Sequence, residues 1–88
     1  MMPPIEQRSV MIYFSEVSGR LREAIMQRDG KEKIKDKDIA RCLGLDPQYY
    51  AVIKRRNKIP YEAIAHFCGQ HRLSINWILL KQKPIYLT

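Results

Sequence analysis

Residues 36–56 read D-K-D-I-A-R-C-L-G-L-D-P-Q-Y-Y-A-V-I-K-R-R, and this stretch decides the fold. Apolar side chains recur at helical spacing on both sides of Gly44, a residue type that readily takes the positive φ of a sharp helix exit. Asp46 followed by Pro47 is a typical helix start, because the carboxylate accepts hydrogen bonds from free N–H groups and proline tolerates the first position. The stretch therefore predicts two short helices joined by a tight turn, the pattern of a helix-turn-helix. The residues expected to close the seam between these helices are Ile39, Ala40, Leu43, Leu45, Tyr50 and Ile53.

Basic residues follow the second of these helices directly. Four of the five residues from Lys54 to Lys58 are Lys or Arg. The whole chain has 16 Lys or Arg against 9 Asp or Glu, a net charge of +7, and from residue 45 onward seven basic residues oppose two acidic ones. A run of charge can simply be a solvated face, but its position beside a helix-turn-helix favours a polyanionic partner.

Length and composition restrict the class of protein. With 88 residues, 45% hydrophobic and 28% charged, the chain suits one small folded domain with one core. Its apolar runs are shorter than the roughly 20 residues of a membrane helix. The start, M-M-P-P-I-E-Q-R, lacks the basic and apolar blocks of a secretion signal. We therefore expect a cytoplasmic protein without a membrane partner.

The cysteine and histidine residues do not predict a metal site. Cys42 and Cys68 are the two cysteines, and a cytoplasmic chain would keep them reduced, as buried or half-buried thiols. There is no close cysteine pair, and His66 and His71 stand five positions apart, which places them on different helix faces. No metal or other cofactor is therefore expected.

Three further helices are predicted around the motif. The first covers residues 15–28, with an apolar residue at every fourth position and Ser15 as its expected N-cap. The two motif helices come second and third in the chain. The fourth helix of the chain starts after Pro60, and the fifth is capped by Ser74. Apolar anchors expected in the charged loop and in the last two helices are Ile34, Ile64, Ala65, Phe67, Cys68, Ile75, Trp77, Ile78 and Leu79.

The predicted architecture is an all-α fold of five short helices, with no requirement for a β-strand. Residues 1–9 are expected to form a flexible N-terminal arm, residues 10–84 the helix-turn-helix domain, and residues 85–88 a C-terminal tail.

Three segments of the chain resemble one known family. They are L-G-L-D at residues 43–46, K-R-R-N-K-I-P-Y-E-A-I at 54–64 and L-S-I-N-W-I-L at 73–79. Together with the order of the predicted helices, they resemble the N-terminal DNA-binding domain of phage CI-type repressors, within the lambda repressor-like class. The resemblance covers about residues 10–84. It implies a transcriptional regulator, usually a repressor, that binds a two-fold symmetric double-stranded DNA operator as a homodimer.

Full-length members of that family often carry a C-terminal Ser/Lys self-cleaving peptidase and dimerisation domain. The resemblance leaves open whether this chain is a stand-alone regulator or the N-terminal part of a longer repressor. Candidate dimer surfaces are the apolar tail at residues 85–87, the helix around Trp77 and the stretch at residues 10–13.

The resemblance also implies which residues read bases. The helix at residues 47–57 would lie in the major groove, and the positions that face base edges match Pro47, Gln48, Ala51, Val52 and Arg55. Gln48 suits adenine because its amide donates and accepts at once, whereas Arg55 suits guanine or a phosphate. Pro47 departs from the family, since several relatives have a glutamine there, so base reading is expected to shift to Gln48, Val52 and Arg55.

A second set of side chains is expected to contact phosphates and to give affinity without sequence preference. Asp36 stands where relatives often have a polar phosphate contact, and its carboxylate would be repelled there, so Lys35 or Lys37 is the better candidate. The expected phosphate-contacting residues are Lys35, Lys37, Tyr49, Lys54, Arg56, Asn57 and Lys58.

The sequence favours two other functions less than DNA binding. A protein-interaction module, such as an antitoxin or an anti-regulator, could use the same fold, and its basic residues could face an acidic protein. An enzyme has little support, because no hydroxyl residue has a recognisable base partner and no glycine-rich phosphate loop exists. We therefore expect no catalytic residue and no small-molecule substrate.

Overall fold

The computed structural model describes residues 12–87. Within this range the chain forms five α-helices and no β-strand. They are α1 (Phe14–Asp29), α2 (Asp36–Cys42), α3 (Pro47–Arg55), α4 (Tyr61–His71) and α5 (Ile75–Leu80). The prediction of an all-α fold with five helices is confirmed for the described residues. The expected arm at residues 1–9 lies outside them, as do Val10 and Met11 of the candidate dimer surface at residues 10–13.

Helix α1 supplies the longest apolar surface of the core. Its buried stripe of Phe14, Val17, Leu21 and Ile25 follows from apolar residues at helical spacing. Gly30 ends the helix at φ 68°, a left-handed conformation that glycine adopts without strain. The prediction of Ser15 as N-cap is wrong. The cap position is Tyr13, two residues earlier, so Ser15 lies inside the first turn and the buried Phe14 is the first residue of the helix.

The other helices and the loop close over this stripe. Ile34 is buried, which confirms it as the anchor of the charged loop. In α4 the buried residues are Ile64, Phe67 and Cys68, whereas Ala65 is exposed, so its predicted burial is wrong. Residues 64, 67 and 68 share one helix face, and position 65 is turned about 100° away from position 64. The remaining buried apolar residues of the core are Ala24, Ile39, Ala40, Leu43, Tyr50, Ile53, Leu73, Trp77 and Ile78.

The C-terminal segment is tied to the domain more closely than the sequence predicts. Ser74 caps α5 as predicted, accepting a hydrogen bond from the Trp77 backbone N–H. Its own backbone N–H donates to the carbonyl of Ile85 at 2.8 Å, and the N–H of Leu87 donates to the carbonyl of Arg72 at 2.7 Å. Residues 85–87 therefore form an antiparallel pairing with residues 72–74 and do not hang free as a tail.

One arginine joins α1 to the end of α5. The guanidinium of Arg20 donates to the carbonyls of Ile78 and Leu79, at 2.6 and 3.0 Å. These carbonyls belong to the last turn of α5, where no helical N–H remains to bond them. No helix in residues 12–87 has the length and apolar content needed to cross a lipid bilayer.

Candidate nucleic-acid interface

The turn between α2 and α3 is held by local hydrogen bonds. Gly44 takes φ 73°, and the N–H of Leu45 donates back to the carbonyl of Ala40 at 2.8 Å. The Asp46 carboxylate then accepts from the N–H groups of Gln48 and Tyr49, at 2.9 and 3.2 Å. The predicted helix exit at Gly44 and the predicted cap at Asp46, with proline at the first position, are both confirmed. These bonds fix the direction in which α3 leaves the turn.

The inner face of α3 is buried in the core, where Tyr50 contacts α1. Tyr50 is fully buried and Ile53 is 5% exposed, as the sequence predicts for the inward-facing pair. The Tyr50 hydroxyl lies 2.9 Å from the Ser18 hydroxyl, and its ring meets the Phe14 ring edge-on with 5.4 Å between centroids. Burial raises the pKa of Tyr50, so the phenol is held in its neutral, hydrogen-bonding form. With this face fixed, the opposite face of α3 must point to solvent.

The outer face of α3 carries the residues predicted to read bases. Pro47, Gln48, Ala51 and Arg55 are exposed, and positions 48, 51, 52 and 55 share one side of the helix because of its 3.6-residue period. Val52 is half-buried, which shortens its reach relative to Gln48 and Arg55. All five residues lie on one element, so they could enter one groove together; their contacts with bases stay a prediction.

The residues expected to contact phosphates differ in accessibility. Lys35, Lys37, Tyr49, Arg56 and Lys58 are exposed, two of them near the start of α2 and three on or just after α3. Side chains near the start of α2 and at α3 could therefore reach the phosphates of a DNA backbone on either side of α3. Their contacts with phosphates also stay a prediction.

Lys54 is already engaged by an acidic residue. Its ammonium lies 3.0 Å from one carboxylate oxygen of Asp36, and the guanidinium of Arg22 lies 2.8 Å from the other. Asp36 therefore bridges α1 and α3 from the first residue of α2. The sequence suggests repulsion of phosphates at Asp36; the structure adds that this carboxylate neutralises a cation otherwise available to them.

Asn57 has a structural role that the sequence analysis did not predict. It takes φ 57° directly after α3, and its side-chain carbonyl accepts a hydrogen bond from the backbone N–H of Phe14 at 2.7 Å. That N–H is one of the unpaired groups at the start of α1. Asparagine tolerates the left-handed conformation better than most residues, which is the sequence signal for this role. A phosphate contact by Asn57 would have to use its amide N–H groups.

The two thiols and the His66 imidazole lie on α2 and α4, not on the outer face of α3. Cys42 is half-buried and Cys68 buried, and burial raises the pKa of the Cys68 thiol to about 11. His66 lies on the exposed face of α4. In the part of the chain that the structure describes, no group of three or more His, Cys, Asp or Glu side chains could hold a metal ion.

Comparisons with known proteins leave the family open. Protein-family models, curated proteins and solved structures were each compared with the chain, and none of the three comparisons gives a match.

Proposed function

We propose that the chain is a sequence-specific double-stranded DNA-binding transcriptional regulator of the lambda repressor-like class, similar to the phage CI repressors. The observation that carries the proposal is the division of α3 into two faces. Tyr50 and Ile53 fix the helix to the core, while Gln48, Ala51 and Arg55 stand outward on the opposite side. An exposed helix face held at a fixed angle after a tight turn is what major-groove reading by a helix-turn-helix requires.

Helix α3 has the dimensions and side chains for this task. An α-helix with its side chains is about 10–12 Å across, and the major groove of B-DNA is about 12 Å wide. Gln48 lies in the first turn of α3, the part of a recognition helix that meets base edges, and its amide can pair with adenine. Arg55, in the last turn, can pair with guanine or with a phosphate.

The surrounding charges support a nucleic-acid partner over an uncharged one. Exposed cations stand at the start of α2, at Lys35 and Lys37, and after α3, at Arg56 and Lys58. Together with the net charge of +7, they would attract the DNA backbone on both sides of the groove. Lys54 would join them only if a phosphate displaced the Asp36 carboxylate.

A homodimer in the cytoplasm is part of the same proposal. Proteins that read DNA in this way bind two half-sites about one helical turn apart, as symmetric dimers. Two α3 helices would then meet adjacent major grooves on one side of the duplex.

The proposal is tested by binding the whole chain to a fluorescent random-sequence duplex at rising salt. We expect the logarithm of the association constant to fall linearly with the logarithm of salt concentration, with a slope of about −0.9 per phosphate contacted. Lys58→Ala should reduce that slope, and Lys83→Ala, a matched loss of charge on the C-terminal segment, should change it less. Absence of duplex binding at low salt would contradict the proposal and favour the protein-interaction module.

A further inference from the structure

A second candidate site lies at the end of α1 remote from α3. A cavity of about 280 Å³ opens between the last turns of α1 and α4 and the C-terminal segment. Asn57, just after α3, meets α1 at Phe14, whereas the cavity meets α1 at Ala24 and Arg28. At 1.5 Å per residue, about 20 Å of helix separates Phe14 from Arg28. The cavity is therefore not part of the proposed DNA-reading surface.

The cavity has an apolar floor and a polar rim. The floor is made of the buried side chains of Ala24, Phe67 and Leu73. The rim is made of Arg28, His71 and Tyr86, the last of which is 46% exposed. A mostly apolar hollow with a few convergent polar groups is the usual form of a small-molecule site.

Aromatic and cationic groups are stacked along one wall of the cavity. The His71 ring lies 4.6 Å from the Phe67 ring, centroid to centroid, and the Arg28 guanidinium carbon lies 6.0 Å from the Phe67 centroid. A flat ring placed on this wall could stack on aromatic faces while a group at its edge met the guanidinium.

The charges of the rim suit a ligand with one negative charge. Arg28 donates from Nε and Nη2 to the two oxygens of the Asp29 carboxylate, at 2.9 and 3.4 Å, and from Nη1 to the His71 ring, at 2.7 Å from its nearer nitrogen. The second N–H of Nη1 and the second N–H of Nη2 are left for a ligand. Since the His71 nitrogen accepts that bond, the imidazole is neutral. Asp29 offsets part of the Arg28 charge, so a dianion such as phosphate would gain little, whereas a ligand with one carboxylate and an apolar ring could use both the guanidinium and the floor.

We propose that this cavity binds a small planar aromatic monocarboxylate, with its ring on the Ala24, Phe67 and Leu73 floor and its carboxylate against Arg28. The volume lies just below the range of about 300–1,000 Å³ that drug-sized ligands occupy, so the ligand has a single ring. This site is separate from the proposed DNA function and does not depend on it.

Binding of such an anion should be coupled to proton uptake at His71. In the free protein, burial and then the charge of Arg28 lower the pKa of His71, while Asp29 opposes them; Tyr86 is the other titratable group on the rim. A carboxylate beside the imidazole favours its charged form and raises the pKa of His71. Lowering the pH through that range should therefore tighten ligand binding.

The test is a titration of the ¹⁵N-labelled chain with benzoate, followed by nuclear magnetic resonance. We expect saturable shifts centred on residues 24, 28, 67, 71, 73 and 86, and an increase in the pKa of His71. Arg28→Met should weaken binding about tenfold or more, because hydrogen bonds to charged groups are among the strong ones. Arg41→Met, a matched loss of an exposed arginine on α2, should leave binding unchanged.

Several results would overturn the proposal. They are the absence of saturation with benzoate, equal shifts with acetate or inorganic phosphate, shifts centred on α3, or unchanged affinity in Arg28→Met. If Arg28→Met does not fold, His71→Gln decides, because it removes the stacking ring and the proton uptake together. Unchanged benzoate affinity and unchanged pH dependence in His71→Gln would also contradict the assignment.

Discussion

Tyr50 and Arg55 lie on the same helix of nine residues and have opposite surroundings. Tyr50 is fully buried and lies within hydrogen-bond distance of the Ser18 hydroxyl, whereas Arg55 is exposed. The inner face of α3 therefore determines where the helix stands, and the outer face determines what it presents. Because these are different side chains, stability and DNA binding should respond to different substitutions.

Removing the inner anchor should have the largest effect. Tyr50→Ala deletes a fully buried ring that packs on Phe14, so we expect a loss of about 3–5 kcal/mol in the free energy of unfolding. Tyr50→Phe keeps the ring and loses only the contact with Ser18, which should cost about 1 kcal/mol. Denaturant unfolding followed by circular dichroism measures both. A Tyr50→Ala variant as stable as the parent would mean that the inner face does not hold α3.

Changing the outer face should alter DNA preference without altering stability. Gln48→Ala removes an exposed amide, so we expect it to relax preference at one position of the binding site by about 1–3 kcal/mol. Its unfolding free energy should stay within about 0.5 kcal/mol of the parent. Lys58→Ala should instead weaken binding to all sequences alike. If both variants weaken binding uniformly on a panel of related duplexes, the assigned roles are wrong.

Asn57, just after α3, bonds to α1 and also belongs to the residues expected to contact phosphates. Asn57→Gly keeps the left-handed backbone but removes the acceptor for the Phe14 N–H, so we expect a loss of about 1 kcal/mol in the free energy of unfolding. Asn57→Asp keeps an acceptor oxygen and should recover most of that loss in the same denaturation experiment. If Asn57→Gly is as stable as the parent but binds DNA more weakly, the main role of Asn57 is a phosphate contact and not the bond to Phe14.

The smallest expected effect concerns the ion pair beside the interface. Asp36→Asn removes a carboxylate from Lys54 and frees that cation for a phosphate. We expect tighter DNA binding and a salt slope steeper by about 0.9, while stability changes by less than about 1 kcal/mol because the pair is partly exposed. Asp38→Asn is the matched control. It removes a negative charge from the same turn of α2, but the Asp38 carboxylate accepts from the Lys35 backbone N–H and does not pair with Lys54. An equal change of slope in both variants would assign the effect to net charge alone.

The sequence predicts the two faces of α3 because they depend on local rules. Helical periodicity separates Tyr50 and Ile53 from Gln48 and Arg55, and the Asp46 cap depends on residues only two and three positions away. The N-cap of α1 and the burial of Ala65 were predicted wrongly. Both depend on which other parts of the chain pack against these helices, and helical periodicity alone does not specify that.

Contacts between distant residues could not be predicted from the same rules. The Lys54–Asp36 pair joins residues 18 positions apart, and the Asn57–Phe14 bond joins residues 43 apart. Both depend on how helices are packed, which local periodicity does not specify. The pairing of residues 85–87 with 72–74 and the cavity at Arg28 and His71 are of the same kind.

The most direct test of the central claim is a selection of duplexes bound by the whole chain from a random pool, made in parallel with Gln48→Ala. We expect the parent to select a two-fold symmetric site with half-sites about one helical turn apart. Gln48→Ala should lose preference at one symmetric pair of positions within that site. Recovery of no common sequence by the parent, or of the same sequence with undiminished preference by Gln48→Ala, would contradict the claim that the outer face of α3 reads DNA.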